Sequence, residues 1–188
     1  MSGFKNILKK RTILFKNQFL TLVEDLLNTH TGLSYNYYHI LKTDCVMVIV
    51  VEREGDDIFT HLVCQYRHPI GKRIWQFPAG GIDLTKNAVL DCAKRELREE
   101  TGILAQNYEH VGDFFVDPGL SNQKCAVFIA TGPFEYRSAE LEATEEDLVS
   151  QRVNIKDIPK MIMGGDMDDS WGMSGYFFLI QYIDMKKS

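Results

Sequence analysis

The clearest prediction of the fold comes from the stretch PAGGIDLTKNAVLDCAKRELREETGI, which runs from Pro78 to Ile103. It opens with a glycine-rich turn, where the backbone can come close to a ligand. Leu90, Ala93 and Leu97 then recur at helical spacing and predict the core-facing side of a helix from about Ala88 to Thr101. The stretch therefore predicts a glycine turn followed by an amphipathic helix.

The segments around this stretch predict a mixed sheet. CVMVIVVE (Cys45–Glu52) is too continuously apolar for a half-exposed strand, and IFTHLVCQYR, residues 58–67, follows it as a second buried strand. Further strands are expected near residues 74–77, 110–116 and 125–131, and the last of two C-terminal helices from about Ser170 to Ile183. Alternating runs between Thr12 and Leu41 predict a small antiparallel β unit at the start.

Three carboxylates stand together on the predicted helix. Glu96, Glu99 and Glu100 are spaced i, i+3 and i+4, so they share one face, which we place opposite the core-facing side. One interpretation is a solvated surface on which Arg95 pairs with Glu99. The alternative is a metal site, because the backbone of residues 79–81 can reach the same pocket. Oxygen ligands without Cys or His favour Mg²⁺ or Mn²⁺.

The same stretch resembles the Nudix box, G-x5-E-x7-R-E-U-x-E-E-x-G-U, in which U is aliphatic. Gly81 and the segment Arg95–Ile103 match eight of its nine specified positions, with either Gly80 or Gly81 as the first glycine. The departure is Asn87, which stands where the box has Glu and which we expect to serve as a helix N-cap instead.

The resemblance implies a fold and a division of the chain. We expect an α/β protein, a Nudix-type α/β/α sandwich with a mixed β-sheet, preceded by the small N-terminal antiparallel β unit. Residues 1–42 would form that unit and pack on a partner subunit in a homodimer, and residues 43–188 would form the hydrolase domain. A short β unit that cannot bury both faces by itself fits this arrangement.

Two further segments resemble the ADP-ribose pyrophosphatase branch of the Nudix family. They are QYRHPIGKRIWQFPAGGID (Gln65–Asp83) and DPGLSN (Asp117–Asn122). The resemblance implies that Arg67 contacts substrate phosphate, which suits the fork of a guanidinium. It also implies that Asp117 and Gly119 bind substrate.

The resemblance also assigns the metal ligands and the base. Glu96, Glu100 and Glu99, with a carbonyl oxygen of Ala79 or Gly80, would bind Mg²⁺ or Mn²⁺, and Glu99 would also take part in catalysis. A glutamate of the acidic segment AELEATEEDL, residues 139–148, would activate water. Glu146 is the best positional match for this base, and Glu145 is the second.

The expected reaction is metal-dependent hydrolysis of the diphosphate bond of a nucleoside diphosphate sugar, from ADP-ribose to AMP and ribose 5-phosphate. One alternative is hydrolysis of another such sugar, for example GDP-mannose, because no motif fixes the pocket. A second is a regulator that binds ADP-ribose without cleaving it, which Asn87 suggests and which the intact Glu96, Glu99 and Glu100 disfavour.

Composition limits the partners. The 188 residues carry a formal net charge of -5, which argues against a nucleic-acid-binding face. The apolar N-terminal stretch is broken by polar residues, so no signal peptide or membrane span is expected. Cys45, Cys64, Cys92 and Cys125 are scattered without a CxxC pair, which predicts buried free thiols. We therefore expect a cytoplasmic protein whose partners are a small nucleotide sugar and a second copy of the chain.

Overall fold

The structure is a computed structural model that describes residues 6–82, 88–141, 143 and 145–187. The strands are β1 (Ile7–Lys16), β2 (Thr21–Asn28), β3 (Ser34–Leu41), β4 (Cys45–Glu54), β5 (Asp57–Arg67), β6 (Lys72–Gln76), β7 (Ala79–Gly81), β8 (Ile103–Phe115), β9 (Lys124–Tyr136) and β10 (Val149–Asn154). The α-helices are α1 (Val89–Thr101), α2 (Ile158–Gly164) and α3 (Ser170–Met185), and a single 3₁₀ turn spans His68–Ile70.

The chain divides into two compact units. The first comprises Met1–Asp44 and Phe115–Lys124, and the second comprises Cys45–Phe114 and Cys125–Ser188. The boundary predicted between residues 42 and 43 places residues 115–124 in the hydrolase domain, whereas in the structure they group with the N-terminal strands.

The first unit is a three-stranded antiparallel sheet in the order β1-β2-β3. The segment 115–124 is bonded to its third strand, because the Ile40 amide donates to the Leu120 carbonyl (2.8 Å) and the Tyr37 hydroxyl donates to the Gly119 carbonyl (2.5 Å). Every residue of β1 is at least partly exposed. The predicted N-terminal antiparallel β unit is therefore present.

The second unit is built on a seven-stranded mixed sheet. Its strands run in the order β10-β5-β4-β9-β8, with β6 paired to β5 and β7 paired to β4. β4 and β9 are parallel, whereas β4 is antiparallel to β5 and β7. The predicted mixed sheet is confirmed.

Strand β4 is buried because helices cover both faces of the sheet. Val46, Val48 and Val50 share one apolar cluster with Ala93 and Leu97 of α1. On the other face α3 comes close enough that a Cβ at position 175, where the helix has Gly, would collide with Met47 and Phe77. This three-layer arrangement confirms the predicted α/β/α sandwich and explains the continuous apolar run of β4.

Three details of the sequence-based description are wrong. Leu90 is 37% exposed, because the buried side of α1 is centred on Ala93 and Leu97. Glu96 and Glu100 lie on that buried side and not opposite to it. In addition, β8 begins at Ile103, directly after the helix, and extends well before the predicted start near residue 110.

Asn87 lies outside the described residues, as do its neighbours from Asp83 onward. The described helix begins at Val89, and Ala88 occupies the N-cap position with an extended backbone and no side-chain hydrogen bond.

The four cysteines are buried and form no disulfide with one another, as the sequence predicts. None of the helices in the described ranges is both long and apolar enough to cross a membrane.

Candidate active site

Helix α1 carries two buried carboxylates. Glu96 and Glu100 are 6% and 4% exposed, and they lie one turn apart at the side of α1 that faces the sheet. Glu99 lies beside them on the helix surface, and its side chain is more exposed to solvent. Buried carboxylates are rare in proteins unless cations or hydrogen-bond donors compensate for their removal from water. Their burial is the first sign of a functional site.

The glycine turn forms the floor of this site. Residues 79–81 make the short strand β7, which pairs with Met47, Val46 and Cys45 of β4. The Ala79 amide donates to Glu100 Oε2 (3.1 Å), and a Cβ on Gly80 would overlap the Glu96 carboxylate. The two carboxylates therefore lie directly against the main chain of the turn, an approach that a side chain at position 80 would prevent.

Arg95 is the principal cation of the site. Its guanidinium donates to Glu99 Oε2 (2.8 Å) and Glu96 Oε1 (2.5 Å), and more weakly to the Gly81 carbonyl (3.3 Å). The pairing of Arg95 with Glu99 that a solvated helix would show is thus present. It is present within a site that also binds the glycine turn, so the two interpretations of the sequence do not exclude each other.

Burial and neighbouring carboxylates raise the pKa of both Glu96 and Glu100. Burial raises the pKa of Glu96 to about 7; the Arg95 charge opposes this shift, and the Glu99 and Glu145 charges add to it. Burial also raises the pKa of Glu100 well above its usual value, and the charges of Glu96 and Glu145 raise it further. The Ala79 amide and the Arg67 charge act in the opposite direction. The ionised form of these carboxylates is therefore costly, and a cation beside them would stabilise it.

The donor set suits a hard divalent cation, since it consists of carboxylates and main-chain oxygens at one end of α1. The present arrangement is not yet a coordination shell. Among the described residues, no three His, Cys, Asp or Glu side chains converge so as to hold a metal ion. Glu96 and Glu99 are hydrogen-bonded to Arg95 instead.

Asp147 of the acidic segment is bonded to β5 and β6. Its carboxylate accepts from Arg73 Nη1 (2.8 Å) and from the Tyr66 amide (3.0 Å), and its carbonyl accepts from Arg73 Nη2 (2.6 Å). Glu145 is partly buried, and its charge raises the pKa of both Glu96 and Glu100, whereas Glu146 is exposed. The structure thus brings Glu145, the second choice for the base, into electrostatic contact with the carboxylates.

The predicted substrate-binding residues belong to different units. Arg67 ends β5 in the second unit, and its charge acts on Glu100. Asp117 and Gly119 belong to the first unit, where the Asp117 carbonyl accepts from the Leu120 and Ser121 amides (3.1 and 2.8 Å) in a tight turn. Their role in substrate binding remains a prediction.

Sequence reasoning missed two residues near Arg67. Gln76 is 8% exposed and accepts two hydrogen bonds from Arg67, and Asp169 binds the other end of the Gln76 amide. The available signal is that Gln76 stands two positions after Ile74 and so shares the buried face of β6 with it. No sequence pattern points to Asp169, which lies 93 residues further along the chain.

Comparison with known proteins gives consistent matches. The NUDIX domain model matches residues 41–166. An ADP-ribose pyrophosphatase from Mycobacterium tuberculosis is 32% identical over 130 residues, which cover 69% of this chain and 61% of that protein, so the chain spans less than two thirds of its length. An ADP-ribose pyrophosphatase from Bacillus subtilis is 25% identical over 185 residues, which cover 98% of this chain and 94% of that protein.

A solved structure shows the same fold. The crystal structure of an ADP compounds hydrolase superposes with a TM-score of 0.83, at 19% identity, over 99% of this chain and 98% of that chain. The three-layer architecture and the N-terminal sheet are therefore both found in a protein of very different sequence.

Proposed function

Because this chain belongs to the Nudix family of hydrolases, we propose that it uses Mg²⁺ or Mn²⁺ to hydrolyse ADP-ribose to AMP and ribose 5-phosphate. The observation that carries the proposal is the pair of buried carboxylates, Glu96 and Glu100, placed against the main chain of β7. The substrate is suggested by the relatives named ADP-ribose pyrophosphatase.

Glu96, Glu100 and Glu99, with a main-chain oxygen of Ala79 or Gly80, would hold the cation. When bound, the cation neutralises the diphosphate charge and acidifies water. Arg95 now donates to Glu96 and Glu99, so it must release at least one of them before all three carboxylates can face a common point. In this proposal Arg95 keeps the carboxylates charged and oriented until the cation replaces it.

A glutamate of the segment 145–146 would remove a proton from the attacking water. Glu145 is preferred, because its charge already acts on Glu96 and Glu100, and Glu146 is the alternative. The water oxygen attacks one phosphorus in line, and the bond from that phosphorus to the bridging oxygen breaks. The second phosphate leaves with the bridging oxygen, so the products are two monophosphates.

Arg67 would bind the diphosphate. A guanidinium binds two phosphate oxygens side by side, and its charge counters that developing on the phosphoryl group. The charge of Arg67 reaches Glu100, which is consistent with a position beside the substrate phosphates. Hydrolysis of another nucleoside diphosphate sugar, such as GDP-mannose, would use the same machinery with a different pocket.

The test is incubation of the protein with ADP-ribose and Mg²⁺, followed by identification of the products. We expect AMP and ribose 5-phosphate from the wild type and a loss of turnover of at least about a hundredfold in Glu100→Gln, which removes a charge from the site at constant size. Full activity of Glu100→Gln would overturn the metal-site assignment. A panel that includes GDP-mannose separates the two substrate classes.

The base is identified by comparing Glu145→Gln with Glu146→Gln. Loss of a general base costs about 10²- to 10⁴-fold in rate, and we expect this loss at position 145. The neighbouring variant is the matched control, since it removes an equal charge from the same segment. The reverse result would restore Glu146 as the base.

A further inference from the structure

Arg67 is held by an uncharged partner. Its Nε and Nη2 groups both donate to Gln76 Oε1, at 3.0 and 2.6 Å. Arg67 pairs with Lys72 in the β5–β6 ladder and Gln76 pairs with Val63, so an even number of residues separates them along the strands and their side chains share one face. The Arg67 side chain therefore reaches back along the sheet to Gln76.

Gln76 is itself anchored to α3. Its Nε2 donates to Asp169 Oδ1 (2.8 Å), and the same oxygen accepts from the Trp171 and Gly172 amides (2.9 and 3.2 Å) as the N-cap of α3. Because these bonds fix which end of the amide is the donor, the oxygen of Gln76 must face Arg67. A continuous chain of hydrogen bonds thus runs from the start of α3 to the guanidinium.

This arrangement leaves Arg67 able to bind an anion. One edge of the guanidinium is occupied by Gln76, and the Arg67 side chain forms no other hydrogen bond within the described ranges, so the Nη1 edge keeps its donors. An amide also orients the guanidinium without neutralising it, as a carboxylate would. Gln76, which holds the guanidinium, lies three residues before Ala79, whose amide donates to Glu100 Oε2 (3.1 Å), so the strand that orients Arg67 leads directly to the proposed metal ligands.

We propose that Gln76 is a positioning residue, which aims Arg67 at the substrate diphosphate and is oriented by Asp169 at the N-terminus of α3. The inference rests on the proposed function for its substrate, and it assigns a role to Gln76, which no sequence motif singles out. Gln76 acts through Arg67 and does not touch the reacting atoms.

A purely structural role is the rival explanation, since the Gln76–Asp169 bond also joins β6 to the segment before α3. The chain offers a matched control for this. The Lys72 Nζ group donates to Asp168 Oδ2 (2.5 Å) and to the Gly165 carbonyl (3.1 Å), so this side chain joins the same two segments without bonding to the Arg67 guanidinium. Lys72→Met removes that link and is expected to leave KM and kcat within about twofold of wild type, as for an exposed ion pair.

The decisive measurement is a double-mutant cycle of Arg67→Ala and Gln76→Ala with ADP-ribose. A ground-state phosphate contact changes KM more than kcat, so we expect about a tenfold higher KM in each single variant and a kcat within about threefold. If Gln76 acts only through Arg67, the double variant is no worse than Arg67→Ala. Effects that multiply in the double variant would overturn the proposal.

Gln76→Glu tests the same idea at constant side-chain size. The new carboxylate would neutralise Arg67 and face the Asp169 carboxylate in place of donating to it, so we expect KM to rise about tenfold as in Gln76→Ala. A wild-type KM in folded Gln76→Glu would contradict the need for a neutral partner. This variant also covers the case in which Gln76→Ala does not fold.

Calorimetry with ADP and Mg²⁺ separates this inference from the proposed function. If the wild type does not cleave ADP-ribose, the proposed function fails, and the positioning role is then judged on ADP binding. We expect about tenfold weaker ADP binding in both Arg67→Ala and Gln76→Ala and unchanged binding in Lys72→Met. Equal ADP affinity of wild type and Gln76→Ala, or no ADP binding by the wild type, would overturn the positioning role.

Discussion

Gly80 occupies a point where the main chain and a buried carboxylate come into contact. Its backbone is paired to Val46 of β4, so it cannot shift easily, and the space that a side chain would need is filled by Glu96. The neighbouring Gly81 has no atom within 4 Å of the position that its Cβ would take. Two adjacent glycines of one turn thus have different steric requirements.

We expect Gly80→Ala to displace Glu96 and reduce turnover at least tenfold, with a stability loss of about 1–3 kcal/mol from overpacking. Gly81→Ala is the matched control and should have a much smaller effect on both. Steady-state kinetics and the midpoint of chemical denaturation measure the two quantities. Equal losses in the two variants would show that the contact with Glu96 is not what requires glycine at position 80.

For single residues, the sequence predicts which residue types form the site better than it predicts their burial and their hydrogen bonds. The spacing identifies Glu96, Glu99 and Glu100, but it does not predict the burial of Glu96 and Glu100, because that depends on how far the turn at β7 comes over the helix. The Arg67–Gln76–Asp169 chain could not be predicted either, since it joins segments that are distant in sequence and follow no periodic pattern.

Among the elements, β2 is tied to both neighbours by one buried acid. Asp25 is 4% exposed and accepts from Arg11 Nε and Nη2 of β1 (2.7 Å each), and it lies 2.9 Å from His39 Nε2 of β3. The hydrogen bonds from Arg11 lower the pKa of Asp25 to about 2; burial opposes this shift and the His39 contact adds to it.

The lowered pKa gives a pH dependence with a definite sign. Since the pKa is lower in the folded than in the unfolded chain, the stabilisation by Asp25 is complete above about pH 4 and is lost between about pH 4 and pH 2. We expect Asp25→Asn to lose on the order of 1–2 kcal/mol at pH 6 and much less near pH 2. Urea denaturation at the two pH values measures this.

Glu24→Gln is the control for this prediction. It removes the adjacent carboxylate, whose side chain lies on the other face of β2. A pH-independent cost of Asp25→Asn, or an equal cost of Glu24→Gln, would argue that the ion pair does not stabilise the sheet.

The elements themselves followed from the sequence where one pattern dominated. Helix α1 and strand β4 were predicted from helical periodicity and from a continuous apolar run, and both were found. The predicted strand β8 is too short. Its first residues, ILAQNYE, mix polar and apolar side chains, and after Ile103 every residue of the strand is partly or fully exposed. In a long, half-exposed strand the alternation of apolar and polar residues is weak, so the sequence predicts its limits poorly.

For the whole molecule, the exposed apolar residues of the N-terminal sheet favour self-association. Ile7, Ile13, Phe15 and Phe19 are 55%, 59%, 54% and 71% exposed, and Leu33 is 64% exposed. A three-stranded sheet cannot bury such residues by itself, and exposed apolar patches mark interaction surfaces. The predicted homodimer would cover them with a second copy of the chain.

We expect light scattering coupled to size-exclusion chromatography to give twice the 21.6 kDa of one chain. Ile13→Glu should shift the mass towards the monomer, because it would bury a charge in the interface. Met163→Glu, at an 87% exposed position of α2, is the control and should leave the mass unchanged. A wild-type monomer would contradict the dimer.

The segment 115–124 has a consequence for how this protein can be divided. It depends on the first unit for its hydrogen bonds, including those of Ile40 with Leu120 and of Lys42 with Asn122. A gene that lacked the codons before residue 43 would therefore encode a chain with an intact Nudix motif in which the segment 115–124 has lost these hydrogen-bond partners. If recombination transferred Asp117 and Gly119 to another gene, they would keep their hydrogen-bond partners only if β1–β3 were transferred with them. The first unit is therefore encoded by two separate parts of the gene.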